Sequence, residues 1–391
     1  MSSTRLPGTP RLLRAINDRA ALELLLGQGP LTRAQLGELT GLSKVTASQL
    51  VERLEERGLV ARVGEQAGGR GPNASLYAVV PTSAFVVGVE VGPAQVVAAC
   101  ADITGTVLGR VEQSTHDSDD PVGVVHNAVI EAAASAQAPL AKVRRVVLGT
   151  PGLVDPSTGD LSFAFDLPRW QRGLLAALRE DLKRTVVFEN DVNLAAVAEA
   201  HTGAARGIDD FVLLWLGRGV GMAVMLGGKL HRGVSGAAGE IGYLPVAGVP
   251  VPRDVARRSK GGFKELAVAD AVRAVAREHG FRSPTAQEAV RAAVNAGTAG
   301  GPVLDELARR LALGLSAACL VLDPALVVLA GEVGRAGGLA LAHRVQQEVA
   351  AIAPVSPRVV VSETPDQPVL HGALLTGLHA VRDEVFGSTV G

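Results

Sequence analysis

Residues 32–57, TRAQLGELTGLSKVTASQLVERLEER, decide how the front of this chain folds. Thr32 is placed to cap a short helix running to Leu39, Thr40-Gly41-Leu42 makes a tight turn, and Ser43 caps a further helix from Lys44 to Arg57. Upstream, residues 10–27 set Leu12, Leu13, Ile16, Ala20, Leu24 and Leu25 on one helical stripe, which Gly27 to Pro30 closes. Downstream, Gly58 to Val63 and Ala74 to Val79 read as two strands around the tip Gly68-Gly69-Arg70-Gly71-Pro72. Three helices, a short turn and a paired ribbon spell a winged helix-turn-helix.

The spacing predicts that the third helix buries Val45, Leu50, Val51 and Leu54 and turns Lys44, Thr46, Ala47, Ser48 and Gln49 outward. A recognition helix enters the major groove N-terminal end first, so Lys44, Thr46, Ser48 and Gln49 are the candidate contacts to phosphates and base edges. Arg70 is a candidate for the minor groove, where a guanidinium meets concentrated negative potential; a solvated loop arginine is the plain alternative. For the module as a whole the alternative is a three-helix protein-interaction domain. Charge leans toward DNA without deciding the matter: residues 1–80 hold ten Lys or Arg against seven Asp or Glu, and the remainder 28 against 32.

At 391 residues, with 47% hydrophobic and 20% charged side chains, the chain has enough apolar material for a large core and more than one domain. It holds no apolar run of membrane-spanning length and starts without a secretory leader pattern, so a cytoplasmic protein with no membrane partner is expected. Cys100 and Cys319 are the two cysteines, too few for a disulfide framework, and both are expected to be core thiols.

The character changes at Pro81, giving an expected division into residues 1–80 and 81–391. Phe85–Val91, Gln95–Ala101 and Thr106–Glu112 read as three strands before a helix at about Pro121 to Ala138. Val143–Leu148 then runs into Gly149-Thr150-Pro151-Gly152, and Thr185–Phe188 into Glu189-Asn190-Asp191 at the head of a helix; functional loops of α/β sheets sit at such strand ends. Phe211–Leu216, Gly217-Arg218-Gly219 and Val220–Leu226 begin a second, similar run, completed by a helix at Leu304–Leu322 and a strand at Ala325–Ala330. The expected body is a two-lobed α/β fold of actin-like, sugar-kinase-like type with its ligand between the lobes.

On these motifs the chain resembles the ROK family (repressors, open reading frames, kinases), in particular its repressor branch. The carriers are Arg33-Ala34-Gln35-Leu36, Thr40-Gly41-Leu42-Ser43, Gly149-Thr150-Pro151-Gly152-Leu153-Val154-Asp155, Glu189-Asn190-Asp191-Val192-Asn193 and Gly233-Val234-Ser235-Gly236-Ala237-Ala238-Gly239-Glu240-Ile241-Gly242. The resemblance implies that Asp191 matches the base that takes a proton from a sugar hydroxyl in family kinases. It implies a sugar site of Asn190, Asp191 and Glu240, with Gly152, Tyr243 and Glu265 beside them. Asn190 and Asp191 are equally suited to capping their helix.

Other family features are missing. Where kinases carry Asp-x-Gly-Gly-Thr, this chain has Glu90-Val91-Gly92-Pro93-Ala94, which lacks an N–H at Pro93 and a hydroxyl at Ala94. Their Gly-Thr-Gly is here Gly217-Arg218-Gly219. The four zinc ligands of typical members correspond to Tyr243, Ala256, Arg258 and Phe263, so neither zinc nor ATP is expected as a cofactor. Arg253, Arg257, Arg258, Lys260 and Lys264 form a basic run, read as solvated surface ahead of a phosphate- or acid-binding patch.

The resemblance therefore implies a sugar-responsive DNA-binding regulator, a repressor ahead of an activator, with no catalytic residue beyond a vestigial Asp191. Operator DNA, a small carbohydrate effector and a second copy of the chain, as homodimer or homotetramer, are the expected partners, with nucleoid association following from DNA binding. The alternatives are a sugar kinase that also binds DNA, and a DNA-binding regulator that has ceased to sense sugar.

Overall fold

A computed structural model describes residues 10–67, 73–115, 120–163, 173–253 and 260–387. Arg70, Ala256, Arg257 and Arg258 lie outside the described residues.

The front is built by local capping. α1 (Pro10–Gln28) leads through β1 (Leu31–Thr32) into α2 (Arg33–Thr40) and α3 (Lys44–Glu56). Thr32 and Gln35 form a capping box: Thr32 Oγ1 accepts from Gln35 N at 3.2 Å, and Gln35 Oε1 accepts from Thr32 N at 2.8 Å. Gly41 ends α2 in the left-handed region at φ 70°, where a side chain would be strained, and Ser43 Oγ accepts from Thr46 N to start α3. β2 (Val60–Gln66) and β3 (Ala74–Val79) pair antiparallel as the wing ribbon, and β1 extends their sheet.

Two faces differ from the sequence reading. In α1, Ala21, Leu22 and Leu25 are buried, whereas Leu12, Leu13 and Ile16 are exposed and Ala20 and Leu24 half-buried. The buried stripe carries Asp18, which α3 accommodates with two arginines: Arg53 bonds it through Nε at 3.2 Å and through Nη2, and Arg57 Nη1 stands 3.5 Å away. In α3, Val45 is 68% exposed and Ala47 is buried, the reverse of the expectation. Ala47 stands against Gly37 of α2, where the helices cross too closely for a larger side chain. Leu50, Val51 and Leu54 are buried as read, each stabilising the module by about 2 kcal/mol.

The body repeats one topology. Its first sheet comprises β4 (Phe85–Val91), β5 (Gln95–Asp102), β6 (Val107–Ser114), β7 (Val143–Thr150) and β10 (Thr185–Asn190), in the order β10-β7-β4-β5-β6. α4 (Pro121–Ser135) crosses from β6 to β7; the small ribbon β8 (Leu153–Val154) with β9 (Leu161–Phe163) and then α5 (Leu174–Leu182) lead to β10. After α6 (Asp191–Thr202) the second sheet follows with β11 (Phe211–Leu216), β12 (Val220–Leu226), β13 (Lys229–Leu230), β14 (Leu326–Ala330) and β15 (Arg358–Val361). Its order, β13-β12-β11-β14-β15, matches that of the first, with three parallel strands and an antiparallel flank.

α7 (Lys264–Ala267), α8 (Ala269–Glu278), α9 (Ala286–Asn295) and α10 (Gly301–Leu322) form the helical part of the second lobe with α11 (Gly331–Ile352), which breaks at Gly338. The last helix, α12 (Pro368–Gly387), returns to the first lobe, where it packs on β4, β7 and α6. Its far end enters the winged-helix core: Leu378, Val381 and Phe386 pack with Leu22, Leu25, Leu54 and Leu59. The two modules thus share one apolar cluster. Cys100 and Cys319 are buried free thiols, pushed up to about 12 and about 11 by burial. Among the described residues no helix is long and apolar enough to cross a membrane.

Candidate functional site

Two surfaces carry candidate function. On the winged helix, Lys44, Thr46 and Gln49 are exposed on the first turns of α3 and Ser48 is half-buried, so the four side chains share the helix end that a groove would receive. Thr46 Oγ1 lies 2.8 Å from Ser43 Oγ, which ties its hydroxyl into the cap. Exposed Val45 sits between Lys44 and Thr46 and offers the apolar contact that a thymine methyl takes. The sequence reading assigned it to the core. Nothing in its type signalled otherwise; only the position of the α2–α3 crossing turned it outward.

The second surface lies at the carboxyl ends of β7 and β10. Their parallel register sets Glu189 beside Gly149 and Asn190 beside Thr150, bringing the two loops together. Asn190 Nδ2 donates to Gly152 O at 3.1 Å, while its Oδ1 accepts from Asn193 N and caps α6. Asp191 opens the helix and accepts from Val192 N at 2.8 Å. Asn190 is thus the N-cap of the helix, as its capping reading expects, and Asp191 follows it as the first helical residue at the ends of the two strands.

Buried Glu189 organises the loop. Its Oε1 accepts from Asn190 N and from Asn193 Nδ2, and its Oε2 accepts from Arg232 Nε at 2.7 Å. Arg232 follows β13 in the second lobe, so this ion pair joins the lobes across the cleft. The same second-lobe loop contributes Glu240, whose carboxyl is held above the usual range by burial and by the charge of Asp191. Tyr243 stands in the field of Glu240, and Lys264 Nζ lies 4.7 Å from the centre of its ring. Gly152, Asn190, Asp191, Glu240 and Tyr243 thus surround one region. Glu265 is exposed and accepts from Gly261 N at 2.9 Å, holding its own loop.

The phosphate side of the cleft is lined with carboxylates. Glu90, next to the last residue of β4, has a buried Oε2 with no hydrogen-bond partner among the described residues, and its carboxyl is pushed up to about 7, first by burial and then by Asp191 and Glu332, against a backbone hydrogen bond from Leu370. Glu332, at the start of α11, lays its carboxylate on the Gly217 turn so closely that a Cβ at Gly217 would come within 2.2 Å of it. A helix N-terminus beside a glycine turn is where an anion is welcome, and here the chain's own anion stands there. The hairpin at Gly92 closes on itself, donating Gly92 N to Gln95 O at 2.8 Å. This donor and charge arrangement does not fit a nucleotide triphosphate.

Nor do the described residues fit the family's zinc. Phe263 is fully buried against Gly314, giving a hydrocarbon ring at a ligand position, and Tyr243 lies under a lysine at another. Among the described residues no three His, Cys, Asp or Glu side chains are gathered as a metal would require.

The ROK family profile matches residues 86–377, and the MarR family profile matches residues 16–71. The chain is 25% identical over 343 residues to the DNA-binding transcriptional dual regulator NagC of Escherichia coli K12, covering 84% of this chain and 83% of that protein. It is 27% identical over 246 residues to the xylose repressor of Bacillus subtilis 168, covering 60% and 61%. Among solved structures, a ROK family transcriptional regulator described as a homologue of the E. coli MLC protein superposes with a TM-score of 0.74 at 20% identity, covering 96% of this chain and 98% of that one. With the profile spanning most of the chain and both lobes repeating one sheet order, the chain belongs to the ROK family.

Proposed function

We propose that this protein is a carbohydrate-responsive, DNA-binding transcriptional regulator acting as a repressor, with its effector in the cleft between the lobes. The observation that carries the reading is the division of the cleft into two halves. One half gathers Asn190, Asp191 and Glu240, which donate to and accept from vicinal hydroxyls. The other places Glu90 and Glu332 where a kinase receives phosphate. Binding without phosphoryl transfer is the consequence, and Asp191 serves recognition. Zinc and ATP have no part in this reading, since their sites lack the donors. The names of NagC and the xylose repressor as regulators support it.

A second copy of the chain completes the regulator as dimer or tetramer. Leu320, Val321 and Leu339 stand exposed on α10 and α11, in keeping with an apolar contact between copies. Two winged helices held at fixed spacing match a palindromic operator, and lobe closure on the effector shifts that spacing. Work on DNA places the protein in the cytoplasm at the nucleoid.

The test is a thermal-shift screen of the full-length protein against mono- and disaccharides, amino sugars and sugar phosphates, with and without Mg-ATP. A sugar-specific shift that ignores ATP and is weakened in Asp191→Asn supports the reading. Formation of ADP with any sugar returns the protein to the kinases, and silence toward every sugar returns it to regulators that do not sense one.

A further inference from the structure

Glu240 and the Asn190-Asp191 pair come from different lobes, and a chain of contacts that meets in Arg232 holds them at one spacing. On the first lobe, Glu189 Oε1 accepts from Asn190 N at 3.0 Å and from Asn193 Nδ2 at 2.9 Å, which fixes the elbow where β10 turns into α6. Its Oε2 receives both Nε and Nη2 of Arg232, at 2.7 and 2.6 Å. On the second lobe, Arg232 O accepts from Ala238 N at 3.2 Å and closes the loop that leads to Glu240.

Neighbouring residues of β12 seat both elements. A Cβ at Gly221 would lie 3.0 Å from Val192 Cγ2, so the first turn of α6 rests on that glycine. Gly239, at φ 92°, packs so closely that a Cβ there would come within 1.9 Å of Met222 O, and its own carbonyl accepts from Met222 N at 3.0 Å. The Glu240 loop is therefore pinned by a backbone hydrogen bond, whereas the seat of the elbow is apolar and non-directional; it sets a height and not an angle. The fork of Arg232 on Glu189 is charge-assisted and directional. Glu189 is 5% exposed, so loss of Arg232 leaves a buried carboxylate without its counter-charge and frees the elbow it organises.

We propose that Arg232 is the positioning residue of the effector site. It acts through Glu189 and through its own loop, sets the Asn190-Asp191 elbow against Glu240, and so decides which spacing of vicinal hydroxyls the cleft takes. Discrimination among sugars then belongs to an ion pair between the lobes as well as to the side chains that meet the hydroxyls. The inference rests on the carbohydrate reading of the cleft.

The experiment compares full-length wild type, Arg232→Lys and Arg232→Gln. Calorimetry measures affinity for glucose, xylose and N-acetylglucosamine, and hydrogen exchange without sugar follows the amides of residues 190–193 and 238–240. Arg232→Gln is expected to weaken the best of the three sugars by about tenfold and to level the differences among them, with faster exchange in both segments. Arg232→Lys keeps the charge but not the fork and recovers part of each effect. Should Arg232→Gln fail to fold, the lysine variant alone decides: partial weakening upholds the proposal and wild-type affinities overturn it. Unchanged affinities and ratios in Arg232→Gln overturn it, as does a loss that falls equally on all three sugars with no recovery in Arg232→Lys. Silence of the wild type toward all three counts against the carbohydrate reading, and the exchange data then decide on Arg232: loosening of both segments together upholds its positioning role, and loosening of one or neither overturns it.

Discussion

Arg57 Nη2, at the end of α3, donates to the carbonyl of Val385 in the last helix of the body at 2.8 Å. The same guanidinium stands by buried Asp18 of α1, so α1, α3 and α12 meet at one side chain. The same helix α12 also packs on β4, β7 and α6, so one helix touches both the first lobe and the base of the winged helix. Two residues 328 positions apart thereby join the winged helix to the body.

Phe386 is the apolar counterpart of that link, fully buried in the core the modules share. Phe386→Ala is expected to cost about 3–5 kcal/mol and to release the winged helix from the body. Calorimetry should then resolve an early transition for the module. A single transition at the wild-type temperature would remove Phe386 from the coupling.

Lys44 is exposed at the start of α3. Lys44→Ala should weaken binding to duplex DNA and reduce the slope of log affinity against log salt by about 1. Val45→Ser should leave that slope unchanged and act only where the site presents a thymine methyl. A slope indifferent to Lys44→Ala would place the helix end away from the phosphates.

Glu90 gives a pH dependence of known sign. Its carboxyl is pushed up to about 7 in the folded protein and returns to the ordinary glutamate range on unfolding, so the native state holds the proton more tightly. Its contribution is fully present below the unfolded value and is lost as pH rises through about 7, a swing of about 3 kcal/mol. Denaturant melts of wild type and Glu90→Gln from pH 4 to 8 should diverge by that amount; parallel curves would mean that Glu90 titrates alike in the folded and unfolded protein.

Elemental analysis of the purified protein should find no stoichiometric zinc, since Tyr243 and Phe263 occupy two of the family's ligand positions. One zinc per chain would point to ligands drawn from elsewhere in the second lobe.

The sequence by itself determined whatever depends on near neighbours. The Thr32–Gln35 box, the Gly41 turn and the Ser43 cap close within a few residues, and the paired strands of both lobes announce themselves by β-branched runs. The loops at Gly152 and Asn190 were legible because each follows directly on a parallel strand. Only tertiary structure decided which face of a helix meets a partner. Periodicity placed Leu12, Leu13 and Ile16 in the core, but the face that meets α3 and α12 carries Asp18 and Leu22. A helix's own pattern records how amphipathic it is and not what crosses it. For the same reason the contacts of Glu332 with Gly217, Glu189 with Arg232 and Arg57 with Val385 were beyond the sequence: each is made by residues distant in the chain, and the packing of lobes and helices alone brings them within reach.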